Sequence, residues 1–125
     1  MLIEGTRRVS LAMAHLIGPQ EAMTVLRDIL ADCSAVFPAF SGLQIAPNGY
    51  LQVVDGSKLD STPLEELIEG FATLFATCQH FCSPIIGERD AHQLMIQALG
   101  DVGPTLVSLG VFQVDNELLS YGYRG

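Results

Sequence analysis

Basic residues are scarce in this 125-residue chain, which has one lysine, Lys58, and five arginines against fourteen acidic residues. The formal net charge is −8, and Arg7-Arg8 is the only adjacent basic pair. Proteins hold phosphate backbones through clustered Lys and Arg side chains, so this balance excludes non-specific nucleic-acid binding. An anionic lipid surface also requires a polybasic segment. We therefore expect neither nucleic acid nor membrane among the partners.

Long apolar runs are also missing, since no stretch approaches the ~18 uninterrupted apolar residues of a membrane span. The first ten residues, MLIEGTRRVS, are interrupted by an acid and a glycine, unlike a secretory signal. The chain has three cysteines, and an odd number is a poor basis for a disulfide framework. These three absences together predict a cytoplasmic protein with reduced thiols.

Apolar residues, by contrast, are abundant. They make up 49% of the chain, the mean hydropathy is +0.36, and charged residues contribute only 16%, against about 25% in ordinary soluble domains. A chain of this length forms one domain that buries roughly two-thirds of its unfolded surface. We expect part of the remaining apolar surface to be covered by a second subunit or a protein partner. An apolar small ligand in a cavity is the alternative.

Two helices are predicted in the first third of the chain. Apolar residues at helical spacing indicate one over residues 6–17 and a second from Pro19 to about Phe37. Gly18-Pro19 separates them, and Pro favours the first position of a helix. Residues 43–54 then alternate like strands around Asn48-Gly49, which predicts a β-hairpin. Residues 55–61 are interpreted as a polar connector.

The helix predicted over residues 63–83 is the most apolar in the chain and is expected to be the centre of the fold. Thr62, Pro63 and Glu65 match a capping box, and Pro84 is expected to end the helix. Its predicted core stripe comprises Leu64, Ile68, Phe71, Phe75, Cys78, Cys82 and Ile85, flanked by Leu67, Leu74 and Phe81.

The rest of the chain contains another helix start and a tail. Gly87 is expected to cap a helix through Leu99, and residues 104–112 fit either a short helix or a strand. The predicted fold is therefore α+β and predominantly helical, with four to five helices around the central one and a single β-hairpin. Residues 1–113 form the domain, and 114–125 form a tail that is loosely held or docked on a partner.

Residues 16–32 and 85–101 resemble each other at an offset of 69 positions. Five of seventeen aligned residues are identical, among them Gly18 with Gly87 and Ala22 with Ala91. Two independently capped amphipathic helices explain this similarity most simply. The alternative is one helix pair used twice, with the hairpin between the copies.

The segment CQHFC at residues 78–82 is the best candidate for chemistry, because cysteine and histidine bind zinc. Cys78 and Cys82 are one helical turn apart, but His80 is rotated by about 200° from Cys78 and points away. In a Phe-rich stripe, cysteine behaves as a small hydrophobe. We predict no metal and no cofactor; Cys78 and Cys82 would be the ligands if a metal were bound. A ligand pocket, if present, would be lined by Phe71, Phe75, Cys78 and Cys82.

No catalytic residue is assigned from the sequence. The three histidines are scattered, and no serine stands in a nucleophile-elbow pattern. GPQEA and GERDA have acids where a phosphate would bind. We expect a small non-catalytic protein-interaction or regulatory module that self-associates. A small-molecule, metal or redox sensor using the Phe/Cys-lined helix is the alternative, and an enzyme of unknown class is the second.

Overall fold

The computed structural model describes residues 2–46 and 51–114 of the chain. It confirms the predominantly helical α+β fold with a two-stranded antiparallel sheet. The helices are α1 (Leu2–Ile17), α2 (Pro19–Val36), α3 (Gly56–Asp60), α4 (Leu64–Ile86), α5 (Glu88–Leu99) and α6 (Gly103–Leu109). The strands are β1 (Leu43–Ile45) and β2 (Leu51–Val53), and short 3₁₀ turns occupy Pro38–Gly42 and Gly100–Val102.

Four helices form a bundle with α4 at its centre. α1 packs against α2 and α5, and α4 packs against the same two helices and against α1. The inward residues of α4 are the large ones predicted from the sequence, and Phe71, Leu74, Phe75, Cys78 and Cys82 are all fully buried. The two ends of the predicted stripe are different, because Leu64 and Ile85 are exposed.

A single glycine joins the two helices of each pair. Gly18 lies between α1 and α2 with φ 93° and ψ 152°, and Gly87 lies between α4 and α5 with φ 92° and ψ 154°. Each glycine N–H donates to the carbonyl four residues earlier, and each glycine carbonyl accepts from the alanine four residues later. The two junctions are therefore the same structural device. Backbone in this region is essentially restricted to glycine.

The similarity between the two stretches extends to whole helix pairs. The pair α1–α2 matches α4–α5 at the 69-residue offset, and buried positions in one pair are buried in the other. The packing is also reciprocal, since α1 lies on α5 as α4 lies on α2. This arrangement supports the alternative of one helix pair used twice. Equivalent buried residues are Val9 and Cys78, Met13 and Cys82, Ala22 and Ala91, Leu26 and Met95, Leu30 and Leu99.

Pro84 does not end α4, contrary to the prediction. The helix continues to Ile86 with Pro84 inside its last turn. Pro84 removes only the hydrogen bond to the His80 carbonyl, and His80 and Pro84 are both exposed, so water can satisfy that oxygen.

The predicted capping box at the start of α4 is also wrong. Pro63 occupies the N-cap, and the Thr62 hydroxyl donates to the Lys58 carbonyl instead.

The polar connector predicted at 55–61 contains a short helix, α3. Its N-cap is Asp55, whose carboxylate accepts from the Ser57 N–H at 3.2 Å. The hydrogen bond from the Ser57 hydroxyl, and after it the one from the Ser57 N–H, lower the pKa of the Asp55 carboxyl. An aspartate is a favoured N-cap residue, so Asp55 is the sequence signal for this short helix.

The two strands of the predicted hairpin pair as expected, with Leu43 opposite Val53 and Ile45 opposite Leu51. The turn predicted at Asn48-Gly49 lies outside the described residues. The choice between helix and strand for 104–112 is settled as helix, because α6 runs from Gly103 to Leu109. Only Val114 of the predicted tail lies within the described residues; 115–125 lie outside them.

Because the two junctions have the same conformation, substitutions at Gly18 and Gly87 should lower the stability by similar amounts. Gly18→Ala and Gly87→Ala should each lower the free energy of unfolding by about 1–3 kcal/mol, because alanine is strained at this φ although the space around both glycines is open. Urea denaturation measures the loss. Gly103→Ala is the control, since Gly103 has helical φ −55° and an added Cβ would make ordinary contacts. A neutral result at either junction would contradict the proposed equivalence.

An ion pair between Arg8 and Asp101 links α1 to the turn after α5, and Arg8 Nη1 also donates to the Leu99 carbonyl at 2.9 Å. The Arg8 guanidinium lowers the pKa of the Asp101 carboxyl. The stabilisation is therefore present above the ordinary carboxyl pKa of about 3.9 and is lost as the pH falls through the lower folded-state value.

We expect Asp101→Asn to lower the urea midpoint slightly at pH 7, because Asp101 is exposed. The difference from the unmodified protein should be constant above about pH 5 and should shrink as the pH falls from about 5 to about 2. Asp28→Asn, which removes an exposed carboxylate from α2, serves as the control. A difference that stays constant with pH would show that the ion pair is not the cause.

Candidate functional site

The three cysteine thiols lie together inside the bundle. Cys33 of α2 and Cys78 and Cys82 of α4 are all buried and free. Burial, and after it the neighbouring Cys82 and Cys33, raises the pKa of the Cys78 thiol to about 12. Burial also raises the pKa of Cys33 and of Cys82. Thiols with raised pKa values are protonated at neutral pH, so they are poor nucleophiles and poor metal ligands.

The aromatic members of the sequence-predicted pocket are packed in the core. Phe71 contacts Phe40, with 4.9 Å between ring centroids, and Phe75, with 6.5 Å. Of the four predicted pocket residues, Phe75 lines the larger of the two clefts described below, and Phe71, Cys78 and Cys82 line neither of them. Within residues 2–46 and 51–114, no three His, Cys, Asp or Glu side chains are placed to hold a metal ion.

The larger cleft lies between α4, α5 and the segment that follows α6. Its volume is about 530 Å³. The residues without polar side chains that line it are Ala72, Phe75, Ala76, Gly110, Val111 and Phe112. The polar ones are Gln79, His80, Ser83, Glu88, His92 and Gln113. We refer to it as the His92 cleft.

His92 is the most deeply buried polar side chain of this cleft, with 2% of its surface exposed. Its Nδ1 is 2.9 Å from Gln79 Oε1, so the imidazole N–H donates to the carboxamide oxygen. The ring also stacks on Phe112, with centroids 5.6 Å apart and planes inclined by 24°. These two contacts join α4, α5 and the segment after α6 at one point and fix the orientation of the imidazole.

The lining of the His92 cleft includes two histidines and one carboxylate, the residue types that an acid–base site uses. His80 and Glu88, however, are exposed at the rim, and the Gln79 carboxamide paired with His92 cannot act as a base. Glu88 is the one carboxylate in the lining that the described residues form. The arrangement is suited to holding a molecule.

A second, shallower cleft of about 420 Å³ lies between α2 and β1. Arg27 is the only charged residue in its lining. Its other polar groups include Ser34 and Ser41, whose hydroxyls donate to the carbonyls of Leu30 and Pro38 at 2.7 Å. Because these hydroxyls already donate to backbone carbonyls, this cleft offers fewer hydrogen-bond donors to a ligand than the His92 cleft.

Exposed apolar side chains occur at the start of α4 and at the end of α6. Leu64 is 61% exposed and Leu109 is 37% exposed. Ile68 lies one helical turn after Leu64, and a Cβ built on Gly110, the residue after Leu109, would be 4.0 Å from Ile68 Cγ2. The end of α6 therefore lies close to Ile68. We call Leu64, Ile68 and Leu109 the α4–α6 apolar patch.

Sequence reasoning missed both the His92 cleft and this patch. His92 is spaced three and seven residues before Met95 and Leu99, which places it on the buried stripe of α5. The sequence analysis gives His92 no role in the core, although its spacing indicates burial. Leu64 was assigned to the core, since a leucine at helical spacing is expected to be covered.

Comparisons with family models, with curated proteins and with solved structures found no match to this chain. Among the described helices, none is long and apolar enough to cross a membrane.

The His92–Gln79 pair is expected to stabilise the fold. Gln79→Met keeps a side chain of similar length but removes the acceptor of the buried imidazole N–H, so the free energy of unfolding should fall by about 1–3 kcal/mol. Thermal and urea unfolding measure this loss. Gln97→Met, at an exposed position on α5, should change it by less than about 0.5 kcal/mol. Equal effects of the two variants would show that the pair contributes nothing specific.

Proposed function

We propose that this chain is a small non-catalytic interaction module that associates with a second copy of itself through the α4–α6 apolar patch. The observation that carries the proposal is the exposure of Leu64, which lies in the first turn of α4, one helical turn before Ile68; Gly110, next to Leu109, is close to Ile68. Leu64 is 61% exposed in the first turn of the central helix, and covering this side chain with a partner lowers the free energy of the system.

The composition favours a second copy as that partner. Few charged residues and high apolar content leave a small domain with more apolar surface than its own core can cover. The patch is bordered on α4 by the exposed residues Glu65 and Glu69. An apolar centre with a polar border is the usual composition of an interface between subunits.

The non-catalytic part of the proposal is supported by the state of the candidate reactive groups. The thiols of Cys33, Cys78 and Cys82 are buried with raised pKa values, and His92 is paired with a carboxamide. Neither arrangement supplies the activated nucleophile and adjacent base that covalent catalysis requires.

Sedimentation equilibrium of Leu64→Gln tests the interface. Covering a leucine contributes about 1.5–3 kcal/mol, so this change should raise the dimer dissociation constant about tenfold or more. Ile85→Gln is the matched control, because Ile85 is exposed on the same helix about 31 Å from Leu64. It should leave the dissociation constant unchanged. A monomer at all concentrations, or equal effects of the two variants, would overturn the proposal.

Salt dependence adds an independent test of self-association. Each copy carries a formal charge of −8, so two copies repel one another. Raising sodium chloride from about 50 mM to about 500 mM shortens the screening length and should strengthen the dimer. A partner of opposite charge would be released under the same conditions, so weaker association at high salt would contradict a second copy as the occupant.

A further inference from the structure

The His92 cleft has the dimensions of a small-molecule site. Its volume of about 530 Å³ falls within the 300–1,000 Å³ of typical ligand pockets. None of the three patch residues, Leu64, Ile68 and Leu109, lines this cleft, although Gly110, next to Leu109, does. Ligand binding in the cleft does not require the proposed self-association.

The floor of the cleft presents aromatic rings in a fixed orientation. Phe75 and Phe112 are buried, and His92 is held by Gln79 on one side and by the face of Phe112 on the other. A buried imidazole with a hydrogen-bond partner and a stacked ring does not reorient when a ligand enters. Flat aromatic ligands gain from offset or edge contacts with such rings.

Charge narrows the ligand class further. Among the described residues, the lining contains no Lys or Arg, and Glu88 contributes a carboxylate at the rim. An anion would meet this carboxylate in a chain of formal charge −8 and would find no Lys or Arg side chain of the described lining to pair with. A cation gains from Glu88 and from the aromatic floor. The remaining lining groups, among them Ser83 and Gln113, offer hydrogen bonds to ring nitrogens or amino groups.

We infer that the His92 cleft is a binding site for a flat heteroaromatic small molecule that is cationic or neutral. Phe75, His92 and Phe112 provide the apolar floor, and Gln79 holds His92 in place. Glu88 favours the positive charge. Phosphorylated and carboxylated ligands are excluded from this class.

Titration with a matched pair of aromatic dyes tests the charge and shape of the site. The cationic aminoacridine proflavine should bind with one-to-one stoichiometry. The anionic dye 1-anilinonaphthalene-8-sulfonate should bind at least about tenfold more weakly at the same ionic strength. The chain contains no tryptophan, so dye fluorescence can be followed without an indole background. Equal affinity for the two dyes, or binding of the anion alone, would overturn the inference.

Substitutions in the lining test whether the dye binds in the cleft. Ala76→Phe fills the cleft from an exposed helical position and should abolish saturable proflavine binding. Thr77→Phe is its control, because Thr77 is the next exposed residue of α4 and does not line the cleft. Retention of binding in Ala76→Phe would show that proflavine binds elsewhere on the acidic surface and would overturn the site.

Glu88→Gln tests the contribution of charge within the site. The carboxylate is exposed, so its loss should weaken proflavine binding by about two- to fivefold. Glu69→Gln removes one negative charge from another exposed position of α4 and should not change the affinity beyond the general effect of net charge. Identical losses in the two variants would contradict the assignment of Glu88.

Sedimentation of Ala76→Phe separates the test of the ligand site from the test of the dimer. This variant is expected to sediment like the unmodified protein.

Discussion

The conformation of two glycines determines how this chain folds back on itself. At Gly18 and Gly87 the chain reverses between two helices within one residue, with φ near +93° and ψ near 153°. A longer loop would let the helices of a pair cross at many angles, whereas a one-residue junction admits few. The alanines at 22 and 91, buried one turn after each junction, then allow close packing within each pair. The reciprocal packing of the two pairs follows from two units of the same shape.

The regular part of this architecture was predictable because it is encoded locally. Apolar spacing located the helices, and Asn48-Gly49 with its flanking residues located the two strands. The 69-residue offset identified the two similar stretches, but the sequence favoured two independently capped helices, and the reciprocal packing supports the repeated pair instead. The errors arose where a local rule depends on surroundings. Pro84 ends a helix only if the freed carbonyl has no other partner, and here that carbonyl lies beside exposed side chains. Thr62 had two acceptable partners, and its hydroxyl donates to Lys58 O.

The candidate site was less predictable, because it combines residues that are far apart in the chain. Gln79 and His92 are thirteen residues apart, and Phe112 follows twenty residues later. No short motif contains the three of them. The segment CQHFC was a candidate site because of its cysteines and histidine, but its glutamine and its first cysteine face different surroundings. Cys78 points into the core, and Gln79 turns towards α5 and holds His92. Spacing alone could have placed His92 inward, but only the packing of α5 on α4 identifies its partner.

The reciprocal packing of the helix pairs has a consequence for how the chain is made. α1 rests on α5, and α2 rests on α4, so the apolar stripe of the first pair is covered chiefly by helices that are synthesised last. When α1 and α2 have left the ribosome, their apolar stripe therefore stays uncovered until more than sixty further residues have emerged. These late contacts have high contact order, which slows folding and exposes the nascent pair to chaperones or to other nascent chains. The symmetry that makes the native bundle compact also makes its first half dependent on its second.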